Sequence, residues 1–456
     1  MLQLDQYLQS QAQRFEQELC EFLRIASISA DPQHQADMQR AAAWVAEQFA
    51  RLGFTSEVIP TQRHPLVFAQ SPELPGAATV LVYGHYDVQP VEPLEQWLSP
   101  PFEPTRRDGN LYARGATDDK GQMLTHIKSA EAWLRVRGRL PVNLKFIIEG
   151  EEEVGSVSLE QFLETHADRL ACDCVVISDG AQFAPGVPAI TYGLRGIAYY
   201  ELRITGPKRD LHSGSFGGTV TNPANALVRI LAALVDDRGR VQLPGFYDDV
   251  IPLTPQERQQ LAALPFDEKQ YLAQVGVEAS TGEEGYNLLE RRWARPTYDI
   301  NGLWSGYQGE GAKTILPASA GAKFSFRLVP NQDPAKITAA LKQRIAELCP
   351  PGVRWELLDL HGSPGVLVPL DSPYVEAAAR AIERAFGRRP VYTREGGSIP
   401  VVGKFHQLLK CPVLLLGWGR DDDNTHSPNE KFSLEDFHRG IRASVWLWEE
   451  IACLKS

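Results

Sequence analysis

Four short, largely unbroken apolar runs, at 78–83, 143–149, 174–178 and 412–416, constrain the fold of this chain more than any other feature. Apolar runs of strand length that lack in–out alternation suit strands covered on both faces, as in a parallel sheet. Helical stretches at 121–137, 372–386 and 434–450 fit between or after them. Two amphipathic helices, at 4–24 and 36–52, come first, the second stopped by Gly53. The pattern is that of an α/β domain with a mostly parallel sheet.

At 456 residues the chain exceeds one ordinary core, so two domains are expected. The middle of the chain reads differently from its ends. Segments 196–205, 322–329 and 353–360 alternate in polarity and predict an antiparallel sheet with one covered face, accompanied by helices near 222–236 and 334–347. A stretch rich in Pro, Gly and acids, about 241–300, reads as insertions and loops. The expected organisation is a discontinuous α/β catalytic domain, 1–188 and 364–456, interrupted by an α+β domain at 189–363.

A net charge of −11 argues against a nucleic-acid-binding surface. No run approaches the roughly 18 uninterrupted apolar residues of a membrane span, and no signal peptide is visible. Six scattered cysteines do not make a disulfide framework, which points to a reducing, cytoplasmic setting.

Ligands of open α/β sheets lie beyond the carboxyl ends of the strands, and here each predicted strand runs into ligand chemistry. The first leads to His85 and Asp87, two apart and so on one face. The second leads to Glu151, Glu152 and Glu153, and the third to Asp179. The fourth precedes a loop with Asp421, Asp422, Asp423 and His426, and Asp118-Asp119 opens a helix between the first two. Singly, each has an ordinary reading: a helix cap, a solvated acidic loop, a turn. Together, so many carboxylates at one edge require a cation among them. Imidazole and carboxylate donors suit Zn²⁺ or Mn²⁺. Asp118, Glu153 and Asp179 with one bridging hydroxide balance two divalent ions, with His85 and His426 as neutral ligands. Glu152 and Glu153 point different ways from an extended segment, leaving one of them free as a general base.

The motifs Gly-His-Tyr-Asp-Val-Gln-Pro (84–90), Gly-Ala-Thr-Asp-Asp-Lys-Gly (115–121), Glu-Gly-Glu-Glu-Glu-Val-Gly-Ser (149–156), Ile-Ser-Asp-Gly (177–180) and Thr-His-Ser-Pro-Asn-Glu (425–430) span most of the chain. In them the sequence resembles the di-zinc peptidase family of carnosinase, glutamate carboxypeptidase and aminoacylase. The resemblance implies a phosphorylase/hydrolase-like catalytic domain with two Zn²⁺ per subunit, Mn²⁺ being the alternative. His85, Asp118 and Asp179 would hold one ion, and Asp118, Glu153 and His426 the other. Asp87 would orient His85, Glu152 would be the general base, and the Asp118–Asp119 peptide would be cis. Three glutamates stand where the resemblance needs two.

The same resemblance makes the inserted domain a lid and dimerisation domain. Asp210-Leu211-His212-Ser213-Gly214 matches a motif whose His acts in the partner subunit's site, implying a homodimer. Arg327 and the turn at Gly396, Gly397 and Ser398 would take the substrate's C-terminal carboxylate. Asp179, the wording of 84–90 and Arg-Glu-Gly-Gly-Ser-Ile-Pro (394–400) are most similar to the carnosinase and cysteinylglycine-dipeptidase branch. The expected activity is dipeptide hydrolysis by metal-activated water. An N-acyl- or N-carbamoyl-amino-acid amidohydrolase is the alternative.

Overall fold

The computed structural model describes residues 2–397 and 399–455. The chain forms two compact units, one of Met1–Tyr192, Val368–Thr393 and Val401–Ser456, the other of Gly193–Leu367 and Arg394–Pro400.

The main sheet, most of it in the first unit, has the order Thr55–Ile59, Leu66–Gln70, Asn143–Glu149, Thr79–His85, Cys174–Ile177, Val413–Gly417, Ala189–Leu194 and Val366–Leu367, with Val391–Glu395 also paired to Ala189–Leu194. The four strands from Asn143–Glu149 to Val413–Gly417 are parallel, with antiparallel neighbours on either side. They are the four apolar runs of the sequence. Val80, Leu81, Val82, Val175, Val176, Leu414 and Leu416 are all buried, as both-face coverage demands. The parallel register carries His85, the Glu151–Glu153 segment, Asp179 and the loop after Gly417 to one edge.

The helix Lys120–Arg137 is buried along its length from Lys120 to Trp133 despite its polar residues. Its polar groups are paired instead of solvated. Lys120 Nζ donates to the Ile25 carbonyl at 2.7 Å, and His126 sits between the hydroxyls of Ser178 and Ser444 at 2.9 and 3.0 Å. Lys128 pairs with Glu18 and Glu131. Burial pushes His126 down to about 3, so it packs as a neutral ring. Helices Leu2–Leu23 and Leu434–Ala452 cover this helix. Its first turn is crowded: a Cβ on Gly121 would meet the Ala116 carbonyl oxygen at 1.9 Å. The peptide between Asp118 and Asp119, just before this turn, is cis.

In the second unit a four-stranded antiparallel sheet has the order Thr297–Ser305, Ser319–Leu328, Gly196–Thr205, Arg354–Ser363. Tyr200, Leu202, Ile204, Phe324 and Phe326 form a core with Leu227 and Ile230 of helix Pro223–Ala232 and with Ile337 and Leu341 of helix Pro334–Leu348. The stretch read from sequence as loops contains three short helices, Pro255–Ala262, Glu268–Gln274 and Leu288–Ala294, before the Thr297–Ser305 strand. Two of the helices start at capping boxes, Thr254 with Glu257 and Asn287 with Glu290. The strand lies at the sheet edge and is mostly exposed, so it lacks the apolar alternation that marks a half-buried strand.

Among the described residues no helix is long and apolar enough to cross a membrane. None of the six cysteines is in a disulfide, and Cys172 Sγ lies 3.6 Å from Cys411 Sγ.

Gly121→Ala forces its methyl against backbone that cannot yield. We expect it to destabilise the protein by about 3 kcal/mol or more, read as a lower denaturation midpoint at unchanged slope.

Candidate metal centre

His85 ends its strand with its side chain wholly buried. Its Nδ1 lies 3.0 Å from the Asp87 carbonyl oxygen and 3.3 Å from Asp87 Oδ1, so the proton belongs on Nδ1. That leaves Nε2 to face Asp118 Oδ1 at 3.1 Å and Asp179 Oδ2 at 3.9 Å. The other oxygen of Asp118 faces His426 Nε2 at 3.0 Å, and His426 Nε2 is 3.3 Å from Glu153 Oε2. Two clusters therefore share Asp118: His85, Asp118 and Asp179, and Asp118, Glu153 and His426, each with ligand atoms within 4.8 Å of one another.

These separations fit a cation. Two ligands about 2.1 Å from one tetrahedral ion lie roughly 3.4 Å apart. The electrostatics point the same way. Burial, then the charge of Asp118, pushes Asp179 up to about 7, and burial likewise raises Glu153. Although burial opposes it, hydrogen bonds from His426 and His85 depress Asp118. Bonds to Asp118 and Glu153 push His426 up to about 11, as expected for an imidazole set among anions. A divalent ion would replace those protons at both clusters.

Glu152 belongs to neither cluster. Burial, then Asp179, Glu153 and Asp118, raises its pKa well above the carboxylate range, while His85 works the other way. Its backbone, with that of Glu153, is set by Asp87, whose two oxygens accept from Glu152 N at 3.3 Å and Glu153 N at 3.1 Å. Asp87 thus orients His85 and positions the glutamate pair. Glu151 is committed elsewhere: its carboxylate accepts from His64 N at 3.0 Å, Ser158 N at 3.1 Å and Ser158 Oγ at 2.6 Å. That leaves Glu152 and Glu153 as the pair at the site.

Three further residues build the centre. Glu430 accepts from the backbone N–H groups of Gly115, Thr117 and Asp118 at 3.0, 3.1 and 3.2 Å, and from Arg114 at 2.9 Å. It holds the loop that carries Asp118. Gln89 Nε2 donates to Glu153 Oε2 at 2.8 Å. Thr117 Oγ1 donates to Asp423 Oδ2 at 3.1 Å, and Asp423 is buried against Lys431. All lie in or beside the motifs, which is the only signal of them in the sequence; the partners of Glu430 and Thr117 are hundreds of residues away. Asp421 and Asp422 join neither cluster.

His212, Arg327 and Gly397 belong to the second unit, and Ser398 lies outside the described residues. His212 is exposed and caps a helical turn, its Nδ1 accepting from Gly214 N at 3.1 Å. The proton is therefore on Nε2, free to donate. Arg327 lies on the face of its strand opposite the aromatic core residues Phe324 and Phe326.

The model of peptidase family M20/M25/M40 matches residues 81–450. The chain belongs to this family. A Cys-Gly metallodipeptidase of Schizosaccharomyces pombe is 35% identical to this M20 peptidase over 444 residues, covering 94% of this chain and 93% of the relative. A human Beta-Ala-His dipeptidase is 33% identical, covering 98% and 92%. The crystal structure of human carnosine dipeptidase 1 superposes with a TM-score of 0.86 at 33% identity, covering 99% of this chain and 98% of that one.

Because Asp87 fixes both His85 and the Glu152–Glu153 backbone, Asp87→Ala is expected to weaken metal binding about 10- to 100-fold. Titration of metal-free protein, followed by calorimetry, reads this directly.

Proposed function

We propose that this M20 peptidase is a di-metal dipeptidase. Asp118 carries the reading: one carboxylate whose two oxygens face two separate clusters, with the paired arrangement of a two-ion hydrolase. Full-length similarity to relatives named as dipeptidases supports the substrate class. His85, Asp118 and Asp179 would hold one ion, and Asp118, Glu153 and His426 the other. Their imidazole and carboxylate donors suit Zn²⁺, with Mn²⁺ as the alternative. When bound, such ions polarise a carbonyl and acidify water.

The chain's own groups do the rest. Glu152, half-buried and with its pKa raised, accepts a proton from the attacking water and passes it to the leaving amine nitrogen. Asp87 keeps the His85 Nδ1 proton in place so that Nε2 faces the centre. Arg327 and the turn at Gly396 and Gly397 take the C-terminal carboxylate, a planar anion that suits a guanidinium.

His212 acts in the partner subunit of a homodimer, donating from Nε2 to the scissile carbonyl oxygen. Its exposure and its Nδ1 bond to Gly214 N support this role. The second unit would then be the lid and dimerisation domain. Six cysteines, none in a disulfide, suit a cytoplasmic enzyme.

The deciding experiment compares a free dipeptide with its N-acetyl analogue on metal-loaded protein. A dipeptidase prefers the free amine and stops on chelation. Preference for the acetylated compound marks an amidohydrolase instead. Glu152→Gln is expected to lower kcat by about 100-fold or more, with metal content by atomic absorption unchanged. Mixing His212→Ala protein with Glu152→Gln protein is expected to restore activity, because the heterodimer then contains one intact composite site. No recovery after verified subunit exchange would place His212 outside the partner's site.

A further inference from the structure

The carboxylate-binding turn follows the first unit's helix Pro373–Phe386 in sequence, yet residues 394–400 pack with the second unit. What holds them there is specific. Arg195 donates twice to this segment, from its backbone N to the Glu395 carbonyl at 3.2 Å and from Nε to the Gly396 carbonyl at 3.1 Å. Arg394 pairs with Glu257, and its stem lies where a Cβ on Gly193 would be, 3.0 Å away. Arg292 faces Glu395 at 3.6 Å. The fit around Gly396 is tight: a Cβ there would sit 3.0 Å from Arg195 Nη2 and 3.1 Å from the Arg292 carbonyl oxygen.

Sheet register relates Arg195 to Arg327. Ile197 pairs with Arg327, and Arg195 stands two residues before Ile197, just ahead of the Gly196–Thr205 strand. Burial and then the adjacent Arg327 charge push Arg195 down to about 10, as for a cation placed beside another. Glu395 and Asp299 offset part of that repulsion, and the two guanidiniums together favour an anion.

Peptide geometry supplies the last step. In a trans peptide the C=O and the following N–H point in opposite directions. An Arg195 that holds the Gly396 carbonyl therefore turns the Gly397 N–H away from itself.

We propose that Arg195 is a positioning residue for the substrate's C-terminal carboxylate: by gripping the Gly396 carbonyl it fixes the peptide plane that presents the Gly397 N–H. This rests on the dipeptidase reading. The carboxylate cradle is accordingly a property of the second unit, assembled from Arg195, Arg327 and residues 394–397.

The test measures kcat and KM of wild type and variants for one dipeptide and for the same dipeptide with a C-terminal amide. Arg195→Met is expected to raise the KM of the free dipeptide about 10- to 100-fold, the loss typical of a charge-assisted hydrogen bond. kcat stays within about threefold, and turnover of the amide changes much less, because a neutral amide lacks the charge that the cradle holds. Arg195→Lys should recover part of the loss, since an ammonium can still reach a carbonyl but not with Arg's planar fork. Gly396→Ala, which pushes the turn off Arg195, should reproduce the KM rise. In the Glu152→Gln background, calorimetric dipeptide binding should weaken by the same factor. An unchanged KM in either Arg195→Met or Gly396→Ala overturns the proposal. So does an equal loss of kcat/KM for free and amidated dipeptide, which would mark a merely structural role. If Arg195→Met does not fold, the KM of Gly396→Ala decides by itself. Wild-type protein that cleaves no dipeptide refutes the dipeptidase reading, whereas turnover with an unmoved KM refutes only the role of Arg195.

Discussion

Carboxylates crowded at one edge of a sheet repel each other, and much of the first unit is organised around keeping them there. The carboxylates divide into two kinds. Asp87, Glu151 and Glu430 spend their oxygens on backbone N–H groups and so fix loops. Asp118, Glu153 and Asp179 are left facing imidazoles and one another, and burial raises the pKa of the last two. The first kind makes the second tolerable, because a rigid loop prevents the charged side chains from swinging out to solvent. The same division leaves Glu152 next to the clusters without a ligand role, where a raised pKa suits proton transfer.

The second unit carries different chemistry. Arg195, Arg292, Arg327 and Arg394 stand around the start of the Gly196–Thr205 strand and the 394–397 segment, Arg394 paired with Glu257 and Arg292 facing Glu395. A dipeptide presents a scissile carbonyl and a terminal carboxylate, which need opposite electrostatic environments.

Much of the fold and of the candidate centre was legible because it depends on local spacing. Unbroken apolar runs mark parallel strands, and ligand residues shortly beyond each run mark the functional edge. His85, Asp179 and His426 could be singled out on that basis, Asp118 from its place at a helix start, and the motifs around them gave each a place in a family. The edge strand Thr297–Ser305 and the capped helices before it were not legible in this way. Edge strands pair on one side only, and short helices depend on caps more than on amphipathic period.

The chain by itself determined which residue types stand at the carboxyl ends of the four parallel strands, because period and run length are properties of neighbouring residues. Only the tertiary structure decided which of Glu151, Glu152 and Glu153 is spent on scaffolding, since that choice is made by His64 and Ser158. It alone showed that Asp118 turns one oxygen to each cluster and that Glu430, 312 residues away, holds its backbone. It also places Arg394–Pro400 with the second unit, where Arg195 bonds to the carbonyls of Glu395 and Gly396. Hydrogen-bond partners remote along the chain leave no periodic trace, and they are what converts a set of ligand types into a geometry.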